Sequence, residues 1–240
     1  MHFDELLVNI WAGIGNTQPF PAHTEYMNGL FWNGDIEENY IGQQASEIFK
    51  DGIYNQFIGD KKDLVIFDIG ANIGMFTLYA RNKAKMIYAM EPAVEHFECL
   101  SKMVEFNKLS NVTLIKKAIS NYNKISTFFH HPNKTSHSLY AIDSNYITGQ
   151  EEVECIRMDK LFEDYKIDHV DFMKFDAEGI ESEVFGGDGF TNVVDKIDNI
   201  FFETHDWMDR NEHQVIDSLK IKGFNVVPIP NEAKLWIATK

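Results

Sequence analysis

Cysteine and positive charge are both scarce in this sequence. Its 240 residues include only two cysteines, Cys99 and Cys155, which lie far apart and form no CxxC pair, so neither a disulfide framework nor a thiolate zinc site is predicted. The 22 Lys and Arg residues are outnumbered by 37 Asp and Glu residues, and the formal net charge of -15 disfavours contact with a phosphate backbone. Nucleic acid is therefore not an expected partner.

Long apolar runs are missing as well. No segment approaches the roughly 18 apolar residues of a membrane-spanning helix, and the first residues, from Met1 to Glu5, lack the regions of a signal peptide. These features predict a soluble, cytoplasmic protein without a membrane partner. Hydrophobic residues at 44% and aromatic residues at 13% are nevertheless sufficient for one substantial packed core.

The pattern of apolar residues divides the sequence into two segments. In residues 1–60, helical patterns are broken by glycine and proline, which predicts an N-terminal helical cap. In residues 61–240, short apolar runs alternate with helical patterns, which predicts an α/β domain with a doubly wound, mostly parallel sheet. A short turn joins the last two strands, so they form an antiparallel hairpin. The seven predicted strands are residues 64–69, 86–90, 112–115, 170–175, 199–203, 224–228 and 235–239.

A polar stretch with weak periodicity occupies residues 119–154 and contains His130, His131 and His137. Adjacent side chains on an extended chain point in opposite directions, so the histidines do not favour a metal site. Loops of this length are often functional, and a flexible acceptor loop is predicted here.

The first strand runs into a glycine-rich turn, Asp68 to Gly74, with the spacing DxGxxxG. Ligands of doubly wound sheets bind at the carboxyl ends of strands, and glycine permits tight turns and close approach there. Asp68 would repel a diphosphate, and no GxGxxG or P-loop string is present. A carboxylate instead suits the ammonium and sulfonium of S-adenosylmethionine, which is the predicted cofactor, with S-adenosylhomocysteine as product.

Two further positions suit this cofactor. Glu91, followed by Pro92, ends the second strand, where an acid accepts hydrogen bonds from ribose hydroxyls. An alternative is that Glu91 only stabilises the start of the next helix. After the third strand, Ala118, Ile119 and Ser120 offer small and apolar groups on which an adenine ring could lie.

Two strings resemble the FkbM-type methyltransferase family, within the class of seven-stranded S-adenosylmethionine enzymes. FDIGANIGMFT at residues 67–77 is similar to the family's DxGANxG-aromatic-T block, and VDFMKFDAEGIE at residues 170–181 resembles its DxxKxDxEGxE block. Ala177 departs conservatively from the branched aliphatic residue more usual there. The resemblance covers residues 63–204 and implies methyl transfer, usually to an oxygen of a sugar, polysaccharide or secondary metabolite.

The site residues follow from these strings and from the strand ends. His205 is the first choice as general base, because a neutral imidazole matches the optimum near pH 7, and Glu203 and Lys174 accompany it. Alternatively, Lys174 and Glu203 form a structural ion pair, or Asp176, Glu203 and His205 hold Mg²⁺. The predicted cofactor-binding residues are Asp68, Gly70, Ala71, Asn72, Gly74, Phe76, Glu91, Pro92, Ala118, Ile119, Ser120 and Asp176.

The predicted function is therefore S-adenosylmethionine-dependent O-methylation of a small-molecule or glycan acceptor, with the segment 136–139 near that acceptor. Two other classes stay open from the sequence. The chain could be a non-catalytic module that only binds the cofactor, or an NAD-dependent oxidoreductase or epimerase.

Overall fold

A computed structural model describes Ile48 and residues 52–132, 136–141, 144–205 and 212–240. Most of the helical cap predicted for residues 1–60 lies outside these residues. The described helices are α1 (Asn55–Ile58), α2 (Met75–Ala80), α3 (Val94–Phe106), α4 (Met158–Asp164), α5 (Glu181–Gly186), α6 (Asp188–Thr191) and α7 (Glu212–Ile221), with 3₁₀ turns at Ser144–Tyr146 and Val194–Lys196. The described strands are β1 (Leu64–Ile69), β2 (Ala84–Met90), β3 (Val112–Ile115), β4 (Ala118–Ser120), β5 (Ile125–His130), β6 (Gly149–Arg157), β7 (Phe172–Phe175), β8 (Asn199–Glu203), β9 (Asn225–Pro228) and β10 (Leu235–Thr239).

The main sheet has seven strands in the order β3-β2-β1-β7-β8-β10-β9. The first five in this order run parallel, while β10 is antiparallel to both β8 and β9. The predicted doubly wound sheet with an antiparallel hairpin is confirmed, and each predicted strand is present within two residues of its expected bounds.

Helices cover both faces of this sheet, which explains why the central strands β1 and β7 are mostly buried and, apart from Asp68 and Lys174, apolar. Successive residues of a strand point to opposite faces, so Phe201 packs on one side and Phe202 on the other. The Phe202 side is covered by residues of α4, α5 and α7, and the Phe201 side by residues of α1, α2 and α3.

A second, three-stranded sheet has the order β4-β6-β5. The prediction of a long loop over residues 119–154 was therefore wrong. The inner face of this sheet carries only a few apolar residues, among them Phe128 and Val153. One inward position of β6 is occupied by Glu151, and its carboxylate lies 2.9 Å from Nε2 of His130. Because apolar and polar residues do not alternate cleanly in β5 and β6, the periodicity that predicts a strand is weak there.

The order of the main sheet positions the site. At β1 the connections change direction, with β2 on one side and β7 on the other, and ligands bind at this switch point in open α/β sheets. The pairings Ile69 with Met90 and Ile69 with Phe175 place three strand ends side by side. The loops that leave these ends carry most of the residues predicted to bind the cofactor.

Candidate active site

A cavity of about 540 Å³ opens above the carboxyl ends of β1, β2, β7 and β8, a size typical of small-molecule sites. Nine of the twelve predicted cofactor residues line it: Gly70, Ala71, Asn72, Phe76, Glu91, Pro92, Ala118, Ile119 and Asp176. The predicted catalytic residues line it too, namely Lys174, Glu203 and His205. The three exceptions, Asp68, Gly74 and Ser120, lie outside the lining, and each has a physical reason.

Asp68 lies beneath the cavity floor, with no exposed surface. Its Oδ2 accepts a 2.6 Å hydrogen bond from Thr77, and its Oδ1 is 3.8 Å from the Nζ of Lys174. Burial raises the pKa of Asp68, and the charge of Lys174 opposes that shift. The expected direct contact between Asp68 and the cofactor cations is therefore not what the structure shows. Asp68 instead supports the loops above it.

The two glycines of the first turn are required by protein packing. Gly70 has a φ of +71°, and a Cβ there would stand 1.8 Å from the carbonyl oxygen of Asp176. Gly74 has a φ of +92°, and a Cβ there would meet Met103 at 2.4 Å and Leu100 at 2.7 Å, both on α3. These two glycines let the β1 loop pack against the β7 loop and against α3, in addition to the approach of a ligand that was predicted for them.

Glu91 holds the turn after β1 to the start of α3. One carboxylate oxygen accepts the N–H of Asn72 at 2.9 Å, and the other accepts the N–H of Ala93 at 2.9 Å. Burial raises the pKa of Glu91 to about 7, against the lowering effect of these two bonds. The predicted helix-start role is thus present. A carboxylate has about four acceptor sites, so two remain for hydroxyl groups in the cavity.

The side of the cavity on which the sequence predicts the adenine ring is formed by the second sheet. Ala118 and Ile119 of β4 line it, as predicted from their positions, together with Phe128 of β5. Ser120 is buried, and its hydroxyl has no hydrogen-bond partner within the described part of the chain. No sequence pattern indicates Phe128, because β5 lacks the clean alternation that predicts a strand.

The segment 136–141 closes the same side. Its Ser138 pairs with Phe129 through two backbone hydrogen bonds and donates its hydroxyl to the carbonyl oxygen of Glu178 at 2.6 Å. The ring of His137 stacks between those of His130 and His96, with centroid distances of 4.7 and 5.0 Å. Ser136, His137 and Leu139 line the cavity. His96 lies within a helix, and no local pattern indicated its role.

Lys174 crosslinks the loops that follow β1 and β7. Its Nζ donates to the carbonyl oxygen of Gly70 at 3.0 Å and to Oδ2 of Asp176 at 3.3 Å. Burial tends to lower the pKa of Lys174, but the charges of Asp176 and Asp68 raise it overall. Lys174 thus forms ion pairs with Asp68 and Asp176. The alternative predicted from the sequence was an ion pair with Glu203.

His205 stands at the opposite end of the cavity from Glu91, surrounded by carboxylates. Its Nδ1 is 2.9 Å from Glu181, and its Nε2 is 3.3 Å from Glu178. Glu203 and Asp176 follow at 3.8 and 3.9 Å from Nε2. Burial acts to lower the pKa of His205, but the hydrogen bond that its Nδ1–H donates to Glu181 and the surrounding charges raise it to about 10. The neutral imidazole expected from the sequence is therefore an imidazolium at neutral pH.

Two of the carboxyl groups around His205, those of Glu203 and Glu178, have raised pKa values. Burial raises the pKa of Glu203 to about 7, and the charge of Asp176 adds to the shift. Burial also raises the pKa of Glu178 well above its ordinary value. Ligand atoms of Asp176, Glu178 and His205 lie within 4.8 Å of one another, so Glu178 takes the place of Glu203 in the predicted metal alternative. A metal ion there would have to displace the proton of His205.

Comparison with known proteins agrees with this geometry. The family model "Methyltransferase FkbM domain" matches residues 68–226. This chain belongs to the FkbM methyltransferase family. The predicted methyl donor, S-adenosylmethionine, is confirmed at the level of this family, and the assignment as a methyltransferase sets aside the oxidoreductase alternative.

Individual relatives extend the match beyond the family model. "Methyltransferase 1" of Beauveria bassiana is 30% identical over 173 residues, covering 63% of this chain and 69% of that protein. "Methyltransferase sdnD" of Sordaria araneosa is 27% identical over 228 residues, covering 80% of this chain and 83% of that protein. The crystal structure of a methyltransferase FkbM from Methylobacillus flagellatus is similar with a TM-score of 0.53 at 12% identity, covering 90% of this chain and 58% of that one. In the described part of this chain, no helix is long and apolar enough to cross a membrane.

Proposed function

We propose that this enzyme transfers the methyl group of S-adenosylmethionine to a hydroxyl of a small, uncharged acceptor such as a sugar or a secondary metabolite. The observation that supports the proposal is the difference between the two ends of one cavity. Glu91 offers acceptor sites for hydroxyls at one end, and Glu203, Glu178 and His205 form a proton-exchanging group at the other.

The residues present suit the cofactor. Glu91 would accept the ribose hydroxyls, and Ala118, Ile119 and Phe128 would pack against the adenine ring. Asp176, which Lys174 holds in place at 3.3 Å, would face the cationic methionine portion. When bound, the cofactor supplies a methyl carbon already activated by its sulfonium. The protein then has to align the acceptor, exclude water and accept one proton.

Glu203 is the side chain best suited to accept that proton. It lines the cavity, its side chain is 37% exposed, and its pKa of about 7 lies near the working pH expected of an effective general base. His205 was the first choice from the sequence, but at neutral pH it already carries its proton. In the proposed reaction the acceptor hydroxyl proton passes to the Glu203 carboxylate, and the His205 imidazolium 3.8 Å away stabilises that carboxylate beforehand.

The charge of this end also limits the acceptor. Asp176 and the ionised form of Glu203 line it together, so an anionic acceptor such as a carboxylate or a phosphate would be repelled by the groups beside the proton acceptor. A neutral polyol can donate its hydroxyls to the same oxygens. This supports a hydroxyl acceptor, and neither nucleic acid nor a membrane is included in the proposal.

The test is a methyl-transfer assay with radiolabelled S-adenosylmethionine and three matched acceptor sets: neutral polyols and phenols, amines, and carboxylates. We expect transfer to neutral hydroxyl acceptors, unaffected by a chelator and by excess NAD. Transfer only to amines or carboxylates would contradict the acceptor class. Cofactor binding by calorimetry without turnover on any set would favour the non-catalytic module.

A further inference from the structure

Glu181, the first residue of α5, has a carboxylate that touches the catalytic region without lining the cavity. The residue is 2% exposed, and the cavity lining does not include it. Its Oε1 lies 2.9 Å from Nδ1 of His205 and accepts the N–H of Gly179 at 3.1 Å. Since Glu181 does not line the cavity, its carboxylate acts on the chemistry through the groups that it contacts, the ring of His205 and the turn at Gly179.

The backbone before α5 is shaped around this contact. Glu178 has a φ of +53°, a left-handed conformation that L side chains rarely adopt, and Gly179 follows with a φ of +102°. This pair of left-handed residues turns the N–H of Gly179 toward Glu181 and leaves the Glu178 carboxylate 3.3 Å from Nε2 of His205. The hydroxyl of Ser138 fixes the turn by donating to the Glu178 carbonyl.

The two nitrogens of the His205 ring are thereby given different surroundings. Within the described part of the chain, Nδ1 pairs with Glu181 alone, whereas Nε2 faces the carboxylates of Glu178, Glu203 and Asp176. A carboxylate bonded to one ring nitrogen fixes the orientation of a histidine ring. We propose that Glu181 is a positioning residue, which holds Nδ1–H of His205 so that Nε2 points into the acceptor end of the cavity.

The inference rests on the proposed function for its effect on turnover, but not for the geometry of the ring. A merely structural Glu181 would stabilise α5 and the left-handed turn whether or not His205 were present. A positioning Glu181 has no effect on turnover once His205 is removed. These two roles therefore make opposite predictions for a double variant.

The first experiment is a double-mutant cycle with Glu181→Leu and His205→Ala, using the best acceptor of the assay above. We expect Glu181→Leu to lower kcat about 10- to 100-fold, the range found for residues that orient a functional histidine, with the KM for S-adenosylmethionine nearly unchanged. In the His205→Ala background the same change should have no further effect on kcat. Equal losses in both backgrounds would overturn the proposal.

A second experiment needs neither cofactor nor acceptor. In ¹⁵N-labelled protein the Nδ1–H of His205 should give a slowly exchanging, hydrogen-bonded resonance, which is lost in Glu181→Leu. Glu181→Gln retains an acceptor oxygen and should keep the resonance, which controls for misfolding, while Glu163→Gln neutralises an exposed carboxylate elsewhere and should leave it unchanged. A His205 Nδ1 without a hydrogen-bonded proton in the unaltered protein would reject the inference and leave the proposed function standing. Failure of methyl transfer with the resonance intact would reject the proposed function and leave the orientation of His205 by Glu181 standing.

Discussion

The two ends of the cavity use carboxylates in different ways. At the Glu91 end, one acid is held by two backbone N–H groups, from Asn72 and Ala93, and lies 3.9 Å from the ring of His96. At the His205 end, several acids face one another around a single imidazolium. The first arrangement is rigid and suits recognition of hydroxyls. The second brings together acids and an imidazolium that can exchange protons, which suits the removal of a proton from the acceptor. Binding and catalysis are thus assigned to opposite ends of one pocket.

The largest expected effect is a loss of kcat without a loss of cofactor affinity when the proton-exchanging end is altered. Glu203→Gln should lower kcat about 10²- to 10⁴-fold, the usual contribution of a general base, while cofactor affinity by calorimetry stays within a factor of two or so. In the unaltered enzyme kcat/KM should rise with pH through about 7, because only the ionised Glu203 accepts a proton. The variant should lose this rise. A variant with normal kcat would assign the proton acceptor to another group.

Gly70→Ala tests the contact that joins the two ends. Its Cβ would stand 1.8 Å from the carbonyl oxygen of Asp176, so the two loops must separate. We expect a loss of stability of about 3 kcal/mol or more in chemical denaturation, together with weakened cofactor binding. Gly223→Ala is the matched control, because Gly223 also has a left-handed φ, +91°, but no atom lies within 4 Å of its added Cβ. The control should cost only about 1–2 kcal/mol. Equal losses would show that the loop contact is unimportant.

Glu91→Gln should affect only the recognition end. Glutamine can accept one of the two backbone hydrogen bonds, but its amide nitrogen cannot accept the other, and hydrogen bonds to a charged group contribute about 1.5–3 kcal/mol. Calorimetry should therefore show cofactor affinity reduced about 10- to 100-fold, with kcat at saturating cofactor largely retained. A loss of kcat without a loss of affinity would reverse the roles assigned to the two ends.

The last prediction concerns stability and pH. The pKa of His205 is raised from its ordinary value of 6.5 to about 10, so the folded state binds its proton more tightly than the unfolded state does. This contribution to stability is complete below about pH 6.5 and disappears as the pH rises toward 10. The denaturation midpoint of the unaltered protein should therefore fall more steeply over this range than that of His205→Gln. Parallel curves would contradict the charge state assigned to His205.

The recognition end was largely predictable from the sequence, because its residues occupy the turns that directly follow β1 and β2. The complete burial of Asp68 was not predictable, because its position in the strand does not show whether its side chain lines the cavity or lies beneath the cavity floor. The proton-exchanging end was only partly predictable. Lys174, Glu203 and His205 were placed correctly at the strand ends, but the charge state of His205 depends on Glu178 and Glu181, which reach it only through the turn before α5.

The second sheet escaped prediction for a different reason. Its strands place charged groups such as Glu151 on the inner side, so neither periodicity nor an apolar run marks them. The histidine stack of His96, His130 and His137 also joins three separate elements, a contact that spacing along the chain cannot indicate.

The division of the cavity into a recognition end and a proton-exchanging end is tested most directly by a crystal structure with S-adenosylhomocysteine. We expect the ribose hydroxyls on the Glu91 carboxylate, and the sulfur directed toward Glu203 and His205 with open space between them for an acceptor. A complex with the ribose at His205, or with the sulfur directed away from Glu203, would contradict the assignment.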